Sequence, residues 1–238
     1  MPIFRILLLS LALLLTPARA GDNPPRRPDP APLRLSPGAR VFFVGDSLMV
    51  GIAPYLRDYF QRYDIVSIDR SRESSGLVNE QRLDWPRTVA ETFATTPDIS
   101  LMLVLIGAND PKDMGALKYR SPAWEAEYRR RLQSLVDTAR RHHAQILWLE
   151  IPPMRAPAFN ADMAYLNGLL RRFTADNQIP LVATAQLLGA DGLYHEQLND
   201  EQLGSVAIRA PDGIHFTKAG YWYLAERLWR RYLPVGPL

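Results

Sequence analysis

Three short segments hold the residue types that acyl chemistry needs: GDSL at 45–48, GAND at 107–110 and DGIH at 212–215. A hydroxyl attacks a carbonyl when a neighbouring base takes its proton, a carboxylate orients that base, and amide donors hold the oxyanion. Ser47 is the candidate nucleophile, His215 the candidate base and Asp212, three residues earlier, its orienting carboxylate. Ser47 also offers its own backbone N–H at the positive end of a helix. Asn109 can donate from its side-chain amide, and Gly76 in SRESSGLV presents a backbone N–H with no side chain in the way. Each position has a plainer reading: Ser47 as a helix N-cap, Asn109 in an Asx turn, Gly76 as a turn glycine, Asp212 and His215 as a structural pair.

The remaining histidines compete poorly. His142 and His143 close a long helical pattern, where they suit its negative pole. His195 falls in an irregular stretch, and Asp191 with His195 is the one rival pair. The chain has no cysteine, which excludes disulfides, a thiol nucleophile and thiolate metal sites. A serine route needs no cofactor or metal.

The candidates make sense only if something gathers them. Apolar runs of strand length, ARVFFVG, DIVSID, ISLMLVLIG, AQILWLE and IPLVAT, alternate with amphipathic stretches near 48–61, 85–95, 122–143, 160–177 and 217–232. Such alternation predicts a five-stranded parallel sheet covered on both faces, with the site at the carboxyl ends of the strands. GDSL and GAND stand at two such ends. Residues 186–211 break the rhythm as a long loop, expected either to cover part of the site or to be decoration. Trp85, close to Gly76 in sequence, is read as a core residue or as a sugar-stacking wall.

The first twenty residues read as a cleavable secretory signal peptide: Arg5, the apolar run ILLLSLALLLT, then PARA. Its apolar core is about half the roughly 20 residues of a membrane span, so no stable membrane insertion is expected after cleavage. Residues 21–38 read as a Pro-rich linker and 39–238 as one domain, which length and a 47% apolar content favour. The formal charge of +3 falls by two when Arg5 and Arg19 leave. Arginines are scattered or paired, with no basic stripe among stacking aromatics, so no nucleic-acid partner is expected.

FVGDSL, Gly76, GAND and DGIHFTKAGY together resemble the blocks of the SGNH, or GDSL, hydrolase superfamily over about 41–221. SSGLVNEQRLDWP at 74–86 further resembles an exported bacterial branch catalogued as a domain of unknown function. The resemblance implies a flavodoxin-like three-layer α/β/α sandwich. It implies Ser47, Asp212 and His215 as a catalytic triad, and Ser47 N–H, Gly76 N–H and Asn109 as the oxyanion hole. Met49 replaces the last glycine of a GxSxG elbow, so the α/β-hydrolase fold is not expected. Three expectations follow: an exported esterase, periplasmic or secreted, acting on an ester or O-acylated glycan; an O-acetyltransferase with the same triad; or a glycan-binding protein that has kept the fold.

Overall fold

The structure is a computed structural model and describes residues 29–189, 191–200 and 204–235. The signal segment at 1–20 lies outside the described residues. Strands β1 (Arg40–Gly45), β2 (Val66–Asp69), β3 (Ile99–Leu105), β4 (Gln145–Leu149) and β5 (Leu181–Val182) pair in parallel in the order β2-β1-β3-β4-β5. All five expected strands form.

Near-continuous apolar runs are needed because both faces of the sheet are covered. Adjacent residues of β1 show it, since successive side chains point to opposite faces. Phe42 meets Phe93 of α2 (Trp85–Thr95) at 5.8 Å between ring centroids, and Phe43 stacks on Phe60 of α1 (Ser47–Gln61) at 6.0 Å. On the Phe43 side, α1 packs with α6 (Lys218–Tyr232). On the other, α2 packs with α3 (Pro122–Arg141). Glu125 of α3 accepts a 2.7 Å bond from Tyr165 Oη of α4 (Pro157–Asp176). This is the three-layer sandwich.

Helix starts follow local chemistry. Asp84, Ser121 and Thr217 cap the N-termini of α2, α3 and α6, each side chain accepting from a backbone N–H of the first turn. Proline enters the first turns of α2, α3 and α4, where its missing N–H costs nothing. Pro157 starts α4 three residues before the expected 160.

Two expectations change. The 186–211 stretch is not irregular throughout: a short helix α5 (Thr184–Leu188) enters it, and β6 (Gln197–Asp200) pairs antiparallel with β7 (Gly204–Ala207). The packed unit also begins before Ala39. Leu33 N–H donates to Tyr232 O at 2.7 Å, Leu35 bridges Val235 and is 3% exposed, and Asp29 accepts from Tyr232 Oη at 2.9 Å. Residues 29–38 are therefore anchored to the end of α6 instead of hanging as a linker.

β1 passes close to β3 at the end that carries the site. A Cβ on Gly45 would lie 2.2 Å from Leu105 O and 2.4 Å from Met49 Cβ. The ladder fixes that carbonyl, so overpacking there cannot relax cheaply. Gly45→Ala should destabilise by about 2–3 kcal/mol, the upper part of the overpacking range. A urea unfolding midpoint equal to wild type would contradict this close approach.

Candidate active site

The turn after β1 places Ser47. Asp46, not Ser47, caps α1: its Oδ1 accepts from Leu48 N–H at 3.0 Å, so Ser47 is the first helical residue and its hydroxyl is free of capping duty. Its N–H is one of the first-turn donors that have no intrahelical acceptor. Asp46 Oδ2 accepts from Gly107 N–H at 3.1 Å and Ala108 N–H at 3.0 Å. One buried carboxylate thus joins the GDSL turn to the GAND turn. Burial pushes this carboxyl up to about 6, against the pull of the Leu48, Ala108 and Gly107 amides, and Asp110 adds a smaller upward push.

A second buried carboxylate repeats the device. Asp110 Oδ1 accepts from Val78 N–H and Oδ2 from Tyr128 Oη, both at 3.0 Å. Burial raises its pKa, while the Val78 and Leu77 amides and Tyr128 work the other way. Gly76 is required for this approach, since a Cβ there would stand 2.2 Å from Asp110 Oδ1. Asn109 Nδ2 donates to Ser75 O at 2.9 Å, which uses one amide hydrogen and leaves the second for an oxyanion. Gly76 N–H donates to no protein group among the described residues. Trp85 is fully buried and donates from Nε1 to Ser75 Oγ at 3.2 Å, so it supports the Gly76 segment and is not a sugar-stacking wall.

The DGIH turn supplies the rest. With the neutral imidazole protonated on Nδ1, Ser47 Oγ–H donates to His215 Nε2 at 2.8 Å and His215 Nδ1–H donates to Asp212 Oδ2 at 2.7 Å. Asp212 Oδ1 accepts from Ile214 N–H at 2.8 Å and His215 N–H at 2.9 Å. Partial burial disfavours its charge, but the bonds from His215 and the two amides prevail and bring it down to about 2. The carboxylate therefore stays ionised beside the imidazole at any pH where the protein would work. The rival pair also forms, with Asp191 Oδ2 and His195 Nε2 at 2.7 Å, but His215 is the histidine that reaches Ser47.

Ser47, His215 and Asp212 are thus joined directly by hydrogen bonds, and the segments that carry Asn109 and Gly76 are tied to the Ser47 turn through Asp46 and Asp110. Sequence reading missed Asp46 and Asp110 as the anchors, although each stands inside a motif next to the residue it positions. No group of three or more His, Cys, Asp or Glu among the described residues is arranged to hold a metal ion. The arrangement can transfer a proton from a serine hydroxyl and stabilise a negative oxygen beside it.

Comparison with known proteins agrees with the fold. A family model described as "Protein of unknown function (DUF459)" matches residues 40–231. Comparison with curated proteins finds no similar sequence. Among solved structures, a protein provisionally described as an acylhydrolase from Bacteroides fragilis is 20% identical, with a TM-score of 0.58 over 84% of this chain and 88% of that one. A GDSL-like lipase from Bacteroides thetaiotaomicron is 18% identical, with a TM-score of 0.56 over 80% and 86%. A catalytic mutant of an acetylxylan esterase from Geobacillus stearothermophilus is 16% identical, with a TM-score of 0.56 over 83% and 95%. The fold is the one that the resemblance implied.

The two aspartates give stability opposite pH slopes. Asp46 is raised from 3.8 to about 6, so the folded state binds the extra proton and this contribution is lost as pH rises through about 6. Asp212 is lowered from 3.8 to about 2, so its contribution is present above 3.8 and lost as pH falls through about 2. Urea titrations from pH 4 to 7 should show a steeper loss of stability in wild type than in Asp46→Asn, where Asp110, also raised by burial, leaves a residual slope. Asp46→Ala, which strands three buried N–H donors, should cost at least about 3 kcal/mol. A slope as steep in Asp46→Asn as in wild type would contradict the assignment to Asp46.

Proposed function

The chain belongs to the DUF459 family, and we propose that it is an exported serine esterase that deacylates an O-acylated glycan or a small ester. The observation that carries this reading is the unbroken hydrogen-bonded line Asp212–His215–Ser47. Ser47 Oγ attacks the ester carbonyl carbon and its proton passes to His215 Nε2. The carbonyl oxygen becomes an oxyanion held by Ser47 N–H, Gly76 N–H and the free Asn109 amide hydrogen. Collapse breaks the bond to the leaving alkoxide, which takes the proton from His215. Water then attacks the acyl-serine, gives a proton to the same nitrogen, and releases the acid and the free Ser47 hydroxyl.

The proton-moving pair is open to solvent. The His215 and Asp212 side chains are 37% and 46% exposed, so water has access to the acyl-enzyme. That the fold is shared with an acetylxylan esterase supports an acetylated glycan as the substrate class. Export rests on the leader at 1–20, and no helix among the described residues is long and apolar enough to cross a membrane.

A panel running from acetyl to long-chain esters and acetylated glycans tests the proposal. Ser47→Ala should lose activity by several orders of magnitude, and Asn109→Ala roughly a hundred- to a thousand-fold in kcat. Undiminished hydrolysis by purified Ser47→Ala would sink the assignment. With an acetyl donor and candidate glycans present, free acetate is expected; acetylated glycan would make the protein a transferase.

A further inference from the structure

The Asp212–His215 turn lies outside the sheet and is partly exposed, so its order must come from its neighbours. Arg209, three residues before Asp212, lies beneath it at 7% exposure. Its Nη2 donates to Ile214 O at 2.9 Å, to Gly213 O at 3.5 Å and toward Met154 Sδ at 3.6 Å. Its guanidinium lies over Phe216 at 4.3 Å and over Tyr194 at 4.8 Å. No carboxylate is among these partners. A buried cation with no hydrogen-bonded carboxylate is costly, so carbonyls and ring faces, with a smaller electrostatic pull from Asp212, must offset the lost water. Burial draws its pKa down to about 10, which still leaves it charged near neutrality.

A second arginine grips the other side of the turn. Arg155 donates from Nη2 to Pro211 O and from its backbone N–H to Gly213 O at 3.0 Å. It also pairs with Glu196 at 3.4 Å. The backbone carbonyls of Pro211, Gly213 and Ile214 are therefore all held by two arginines.

Both arginines are braced by the excursion between α5 and β7. Tyr194 covers Arg209, Glu196 pairs with Arg155, and Glu196 O accepts from Ile208 N–H at 2.8 Å and Arg209 N–H at 3.2 Å. The stretch that interrupted the strand and helix rhythm thus closes around the back of the DGIH turn.

We propose that Arg209 is a positioning residue for the Asp212–His215 pair, acting with Arg155 through the carbonyls of the turn, and that Tyr194 and Glu196 complete this clamp. The proposal rests on the triad reading, because it assigns the clamp the task of keeping the imidazole aimed at Ser47. Misplacing a reacting group by about 1 Å can cost a hundred-fold in rate without loss of binding.

Two readouts separate the clamp from the esterase assignment. The first is the downfield proton resonance of His215 Nδ1–H, which reports its bond to Asp212 whether or not any ester is cleaved. The second is the split between kcat and KM. Arg209→Met should broaden or remove the resonance and lower kcat by about ten- to a hundred-fold, with KM within about two-fold. Arg209→Lys, which keeps a cationic donor for Ile214 O, should restore the resonance and much of kcat. If Arg209→Met does not fold, the double variant Tyr194→Leu with Glu196→Ala, both in the excursion, should still lower kcat by about three- to ten-fold. An unchanged resonance and kcat in either variant, or no rescue by lysine, overturns the clamp. Wild-type protein that cleaves no ester would instead defeat the esterase reading, and the resonance alone would then decide the clamp.

Discussion

One carboxylate holds two turns together. Asp46 receives the Leu48 N–H of the GDSL turn and the Gly107 and Ala108 N–H groups of the GAND turn. Parallel strands deliver loops to a common edge but do not fix how those loops face one another. Side chain to backbone bonds buried from water do, because an orphaned N–H at that depth costs about 1–3 kcal/mol. Asp110 continues the chain of contacts by reaching back to Val78 and to Tyr128 of α3. The ends of β1 and β3 and the segment after β2 are thereby locked to one another. Glycine at 76 and at 45 is the consequence, since either approach would collide with a Cβ.

The two halves of the site are built differently. Ser47, Gly76 and Asn109 stand on this buried frame, each next to or touching an anchored residue. Asp212 and His215 stand on a turn that two arginines hold by its carbonyls. A rigid donor set suits oxyanion stabilisation, which depends on dipoles already oriented before charge develops. As the proposed base, His215 would have to accept and return a proton, and an open turn leaves it within reach of water.

Much of this was legible in the residues. Continuous apolar runs such as VFFV and LMLVL can be satisfied only between two helical layers, so the sheet could be read directly. Ser47, Asn109, Asp212 and His215 were legible because each stands in a short motif at a strand or helix end. The supporting residues were not. Nothing in the letters GDS shows that Asp46 is buried, and a carboxylate there is as common on a surface. Arg209 resembled the other scattered arginines, since burial of a cation depends on Tyr194 and Phe216 arriving from elsewhere. The β6–β7 hairpin was hidden because QLND and GSVA are too short and polar to announce strands. Leu33 and Leu35, isolated among prolines, gave no periodic signal of their pairing with the end of α6.

The central claim is that Ser47 N–H, Gly76 N–H and the Asn109 amide converge on one oxygen while His215 serves the Ser47 hydroxyl. The direct measurement is a crystal structure of the protein after reaction with a serine-directed phosphonate. The account predicts a covalent adduct on Ser47 Oγ whose phosphoryl oxygen lies about 2.7–3.1 Å from all three donors. An adduct with that oxygen turned to solvent and the donors unengaged, or no adduct on Ser47, would contradict it.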